Sequence, residues 1–143
     1  LKDVFEGLGI NGNNPLERRP RLMLKWDEVK EMARNGITFG SHSHTHPILS
    51  RMPIQGAKED IFISKQVIEE KLRNKVRHFA FPNGRAEDFS EELRDYCQKI
   101  GFESVASVIY GTNNGSNGNV HSLRRISATC PIWLFAGDIA KLL

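Results

Sequence analysis

The stretch Ile37-Thr38-Phe39-Gly40-Ser41-His42-Ser43-His44-Thr45-His46-Pro47 decides how the chain is read. Three of the five histidines fall within five residues, directly behind a short apolar run. Ile37 to Gly40 predicts a buried strand, introduced by the helix stop Asn35-Gly36. The histidines then lie where the strand gives way to a loop or a helical turn. In α/β enzymes that end of a strand is where sites are built. If the chain turns helically after Ser41, His42 and His46 stand at i and i+4 and share a face, with His44 projecting elsewhere. Two neutral imidazoles on one face suit Zn²⁺, Co²⁺, Ni²⁺ or Fe²⁺. A catalytic ion also needs a third protein ligand, usually a carboxylate or another histidine, and an open position for water. The plainer alternative is a polar loop whose histidines share no task.

Outward from this stretch the pattern alternates. Trp26 to Arg34 predicts a helix, with Trp26, Val29, Met32 and Ala33 at i, i+3 and i+4 spacing. Leu1 to Leu8 reads as a strand or helix remnant, and Gly9 to Pro20 as a loop rich in Gly, Asn and Pro. After the histidines, Pro47 to Pro53 is a loop. Ala57 to Arg73 predicts the longest helix, its core face carrying Ile61, Ile68 and Leu72. Glu59, Asp60, Glu69 and Glu70 are assigned to its solvated side. Val76 to Phe81 predicts a strand ending at the turn Pro82-Asn83-Gly84. Ser90 suits the N-cap of a helix from Glu91 to Ile100. Phe102 to Ile109 is a strand and Gly111 to Asn119 a loop. Leu123 to Ala128 is a short strand, and Pro131 to Leu143 a terminal helix with Pro131 in its first turn. Helices alternating with strands argue a parallel sheet with helices outside, open or closed as a barrel, in a single domain over 1–143.

Composition excludes several classes. The net charge of +3 is mild for 143 residues. It permits attraction to an acidic polymer without demanding it. Arg18, Arg19 and Arg21 cluster beside Glu17 and read as a solvated loop. No basic stripe interleaves with aromatics, so nucleic acid is not expected as a partner. Two cysteines, Cys97 and Cys130, are too few for a disulfide framework and read as core thiols. No apolar run is long enough to span a membrane.

The histidine stretch resembles the second motif of the polysaccharide deacetylase family (the NodB-homology domain, carbohydrate esterase family 4). That motif reads His-Ser/Thr-x-x-His and is matched by His42, Ser43 and His46. Trp26-Asp27-Glu28-Val29-Lys30-Glu31-Met32 resembles the helix before it. Gly40-Ser41-His42 and His46-Pro47-Ile48-Leu49 resemble its flanks. Phe79-Ala80-Phe81-Pro82-Asn83-Gly84 sits where the family carries Arg-x-Pro-Tyr-Gly. The likeness runs from about Leu22 to the end.

Three departures accompany it. The family's first motif, an Asp-Asp pair that supplies the catalytic base and the third metal ligand, is absent from this chain. Ala80 replaces the arginine of the third motif, and Asn83 its tyrosine. No Leu-x-His stands near the end, where His121 is the sole late histidine. The expectation is therefore the C-terminal part of such a domain, with the first motif lying upstream.

The resemblance implies a partial, distorted (β/α) barrel with its first strands missing. It implies hydrolysis of N-acetyl or O-acetyl groups on a polysaccharide, with a divalent metal, foremost Zn²⁺, held by His42 and His46. The backbone N–H of Asn83 would be an oxyanion donor. Arg124, or its neighbour Arg125, would replace the motif arginine in holding the base. The chain by itself is expected to be inactive and to bind metal poorly. An exposed sheet edge would favour pairing of copies. The location implied is extracellular or cell-surface. Two other classes compete: a non-catalytic carbohydrate-binding remnant of the same fold, and a metal-storage or metal-sensing module built on His42, His44 and His46.

Overall fold

In the computed structural model, residues 23–113, 119–126 and 135–136 are described. Among these residues, three helices and three strands make up the frame. They are α1 (Trp26–Arg34), α2 (Ile54–Leu72), β1 (His78–Ala80), α3 (Glu91–Lys99), β2 (Ser104–Tyr110) and β3 (Leu123–Arg125). Short 3₁₀ turns at Leu49–Arg51 and Ala86–Asp88 fill the connections.

Local chemistry sets the helix ends. The Lys25 N–H donates to the Glu28 carboxylate at 2.7 Å, closing the first turn of α1. At the other end Gly36 takes φ +89°. The Gly36 N–H then donates to the Ala33 carbonyl, and the Ile37 N–H to that of Met32. These two bonds satisfy carbonyls that the last turn leaves open. The Ser90 hydroxyl accepts the Leu93 N–H and starts α3. α2 begins at Ile54, three residues before its expected start at Ala57, with Pro53 as N-cap. It ends at Arg73 in the left-handed region.

The strands form one parallel sheet in the order β1-β2-β3. His78, Phe79 and Ala80 pair with Ser104, Val105 and Ala106. β2 and β3 pair through Ala106 with Leu123 and Tyr110 with Arg125, with an irregularity between. On the other side of β1 the chain before the histidines runs alongside as an edge. Ser41 bridges Phe79 in parallel. Its N–H donates to the His78 carbonyl at 2.8 Å, and its own carbonyl accepts from Ala80 at 2.9 Å. Gly40 comes so close to β1 that a Cβ there would sit 3.0 Å from the His78 carbonyl oxygen. The buried strand expected over Ile37 to Gly40 is thus corrected. Only Ser41 makes the ladder, and Ile37 is half exposed. The three residues before Gly40 make no ladder bond with β1 among the described residues.

The core lies between the sheet and the helices: Leu49, Ala57, Ile61, Val76, Phe79, Phe81, Leu93, Cys97, Phe102 and Val105. Phe79 meets Phe81 edge-on with ring centroids at 5.2 Å, and Phe81 stacks on Phe89 at 4.2 Å. Cys97 is fully buried, and burial pushes its thiol up to about 12. Lys65 is buried as well. Its ammonium donates to Glu69 at 2.8 Å and to the Val76 carbonyl at 2.6 Å, and lies over the Phe102 ring. Glu69 in turn accepts the Val76 N–H. This network ties the last turns of α2 to the chain entering β1, and contradicts the assignment of Glu69 to a solvated side. The helix expected over Pro131 to Leu143 falls almost wholly outside the described residues. So do Cys130, the segment from Leu1 to Pro20 and the last residues of the strand expected to reach Ala128.

Candidate functional site

His42 and His46 come together. Their ring centroids are 4.9 Å apart, edge to face at 72°. The backbone that achieves this is not a helical turn. Ser43 and His46 both take positive φ, +66° and +56°. The Ser43 hydroxyl accepts the His46 N–H at 2.9 Å and closes the loop. The expectation of i, i+4 helical geometry is corrected, although the convergence it was meant to explain is present. The pattern of side chains cannot reveal two left-handed residues when neither is Gly or Asn.

One ring nitrogen of His42 is committed. Its Nδ1 lies 2.8 Å from the Ala80 carbonyl oxygen, which can only accept, so Nδ1 carries the proton. In the neutral ring Nε2 is then left with its lone pair. A ligating histidine characteristically has such a partner on its other nitrogen. Ala80 thus enters the site through its backbone, whatever its side chain.

The loop is held from α2. Asp60 is 7% exposed. It accepts the His44 N–H at 2.8 Å, the Thr45 N–H at 3.0 Å and the Thr45 hydroxyl at 2.6 Å. Burial pushes its carboxyl up. The Thr45 hydroxyl, the two N–H groups and the His44 charge outweigh that and hold it below its usual value. One turn on, Ser64 is hydrogen-bonded to the Ser41 hydroxyl in a buried pair and donates to the Ile61 carbonyl. Sequence reasoning missed Asp60 and Ser64 and placed Asp60 in solvent. The signal was available: both share the face of α2 that carries Ala57 and Ile61.

Beside the pair lies the turn after β1. Asn83 has φ +58°, and the Gly84 N–H closes back to the Pro82 carbonyl at 2.6 Å. Gly84, at φ +73°, is clasped by β2. Its carbonyl accepts the Val108 N–H, and a Cβ there would meet the Phe81 carbonyl oxygen at 3.0 Å. Among the described residues nothing accepts from the Asn83 N–H.

The other candidates lie apart from the histidines. Arg124 is tied into the β2–β3 connection. Its N–H donates to the Asn113 side-chain oxygen and its carbonyl accepts from the Asn113 amide, both at 2.9 Å. The Arg125 guanidinium donates to the Ser107 carbonyl, in the same peptide group as the Val108 N–H that clasps Gly84. His78 and His121 sit at the start of the strands, bonded to the Ser104 hydroxyl and the Phe102 carbonyl. The histidine pair follows a strand end. Among the described residues no three His, Cys, Asp or Glu side chains gather as a metal cluster.

Known proteins share the fold. The chain is 24% identical over 100 residues to YxkH of Bacillus subtilis (strain 168), named as a polysaccharide deacetylase. That match covers 70% of this chain and 34% of the relative. The fold is similar to that of the Streptococcus pyogenes deacetylase PplD, solved in complex with acetate, with TM-score 0.71 and 19% identity. It covers 85% of this chain and 53% of PplD. It is also similar to the polysaccharide deacetylase BC0361 of Bacillus cereus, with TM-score 0.68 and 21% identity over 85% of this chain and 38% of that one. The chain therefore spans about a third of the curated relative and about half or less of these solved structures. The model of the polysaccharide deacetylase family matches residues 9–105, a span that includes both histidines and the Pro82-Asn83-Gly84 turn but not Arg124. The chain belongs to the polysaccharide deacetylase family.

Proposed function

We propose that the chain is part of a metal-dependent hydrolase that removes acetyl groups from an N-acetylated or O-acetylated polysaccharide, with His42 and His46 holding the ion. One observation carries the reading. The two rings converge at 4.9 Å while the Ala80 carbonyl fixes the His42 tautomer with Nε2 free to ligate. Neutral imidazole is a donor that suits Zn²⁺. The third ligand and the carboxylate base come, in this reading, from acidic residues outside the described ones. When bound, the ion supplies Lewis acidity toward the acetyl carbonyl and a water.

The chain's own residues position. Ala80 and the Asp60 clasp keep the imidazoles in place. The Asn83 N–H donates to the developing oxyanion. A guanidinium from β3 orients the base. Of the two candidates for that task, Arg124 and Arg125, Arg125 is better placed, since its head reaches the Ser107 carbonyl beside the Gly84 clasp. A barrel completed on the Ser41 edge in the whole domain, pairing of copies through that edge in this chain by itself, and an extracellular or cell-surface location belong to the same proposal. Sedimentation that stays monomeric at all concentrations would remove the pairing. Among the described residues no helix is long and apolar enough to cross a membrane.

A second reading, a carbohydrate-binding remnant without catalysis, draws on the gathering of only two metal-ligand side chains among the described residues. Zn²⁺ titration of the chain, followed through the His42 and His46 imidazole NMR signals, tests the first. Both signals should move together and weakly, and His46→Ala should abolish the response at His42. Imidazole signals that ignore millimolar Zn²⁺ would overturn it. Acetate release from acetylated chitooligosaccharide by this chain alone should be negligible. Robust release would show that the base lies within these residues.

A further inference from the structure

The histidine loop is short, exposed and built on two left-handed residues, so its shape must be imposed from elsewhere. Its own hydrogen bond, Ser43 hydroxyl to His46 N–H, fixes only the far end. The middle of the loop presents two backbone N–H groups and a hydroxyl to one buried carboxylate. The carboxylate divides its oxygens. Oδ1 takes the His44 N–H, and Oδ2 takes both donors of Thr45. An ionised carboxylate has acceptor sites for all three and offers no hydrogen of its own. A buried carboxylate is costly unless its acceptors are used, and here they are used on the loop. Ser64, at i+4 on the same helix, holds Ser41 directly before His42.

We infer that Asp60 is the positioning residue of the histidine pair. It clamps the His44-Thr45 peptides so that the rings on either side of them, His42 and His46, converge, with Ser64 bracing the root of the loop. The inference deepens the metal reading and rests on it for the ligand. The clamp itself is a property of the protein alone. Asp60 touches neither ring and takes no part in the chemistry. It acts through the backbone.

Asp60→Asn tests this, because it keeps the size and packing of the side chain. It leaves one acceptor oxygen for three donors and turns an NH₂ group toward a donor. Two readouts are taken on the 143-residue chain. The first is amide hydrogen exchange without metal. Exchange at His44 and Thr45 should quicken by about ten-fold or more, with α3 and β2 amides unchanged. The second is the Zn²⁺ response of the His42 and His46 imidazole signals, which should need about 10- to 100-fold more metal, the usual effect of losing an outer-shell partner. Thr45→Val removes one of the three bonds at an exposed position. It should quicken exchange at Thr45 several-fold, and it decides the matter if Asp60→Asn does not fold. Unchanged exchange at His44 and Thr45 overturns the inference. So does a uniform rise across α3 and β2, which would make Asp60 a general stabiliser. If the wild-type chain itself shows no Zn²⁺ response, the metal reading falls, and the exchange readout alone decides whether Asp60 shapes the loop.

Discussion

Two segments leave the carboxyl ends of the strand lines on either side of β1, and they are fastened in different ways. Ser41 to Pro47 is held from outside, by Asp60 and Ser64 of α2 and by the Ala80 carbonyl. The described residues of the connection from β2 to β3 are held by amide side chains of their own and by β2, whose Val105 N–H donates to the Val120 carbonyl. Asn113 and Arg124 exchange two hydrogen bonds, and Asn119 accepts the His121 and Ser122 N–H groups. The Ser64 bond is buried and the Asp60 bonds are partly buried, while the Ala80 bond is exposed. The Asn113 bonds are exposed, and so compete with water. A buried carboxylate that accepts backbone N–H groups fixes a loop more firmly than an exposed amide can. The side chains that converge are on the firmly held segment.

The largest expected effect comes from removing the outside clamp. Asp60→Ala leaves two N–H groups and a hydroxyl without their acceptor. Hydrogen bonds to a charged group are worth about 1.5–3 kcal/mol each, and part of the loop will rehydrate, so we expect a loss of roughly 2–4 kcal/mol by urea denaturation. A loss no greater than that of Asn113→Ala would erase the contrast between the segments.

Acidification should act next. Burial raises the Glu69 carboxyl, but the Lys65 hydrogen bond, the Val76 N–H and the Lys65 and Lys75 charges bring it below its usual value, as the loop donors do for Asp60. The unfolded chain therefore takes up protons first. The stability these groups contribute is present in full above the ordinary carboxylate range near about pH 4, and is lost as pH falls through their lowered folded values. The fall should be shallower in Asp60→Ala. An identical slope would mean that Asp60 titrates alike in both states. Asn113→Ala should cost about 0.5–1.5 kcal/mol, as expected for exposed neutral bonds. The smallest effect is Arg124→Ala, within about 0.5 kcal/mol in thermal melts, because its backbone makes the bonds to Asn113.

The frame was legible where periodicity and punctuation agree. α1 matches Trp26 to Arg34 residue for residue, and α3 ends one residue short of the expected Ile100. The alternation of helices with parallel strands also holds. α2 starts early because Gly56 in its first turn reads as loop, while Pro53 ahead of it serves as a cap. The edge before Ser41 misled because apolar letters signal burial only when something covers them, and Ile37 is half exposed. At the site, the proximity of His42 and His46 was readable and its cause was not. Spacing suggested a helical turn, whereas the fold uses left-handed residues pinned by a carboxylate fifteen positions from Thr45. Asp60 carries a charge, which argues for solvent, but its place on the wheel between Ala57 and Ser64 puts it on the buried face.

Cys97 carries a practical corollary. Its sulfur is sealed between α3 and the sheet, and its proton is held so firmly that almost no thiolate forms at neutral pH. The thiolate is the form that attacks an alkylating reagent, so this sulfur reacts only when the helix lifts away. The rate at which iodoacetamide marks Cys97, read from its own peptide by mass spectrometry, is thus a built-in clock for how often that layer breathes.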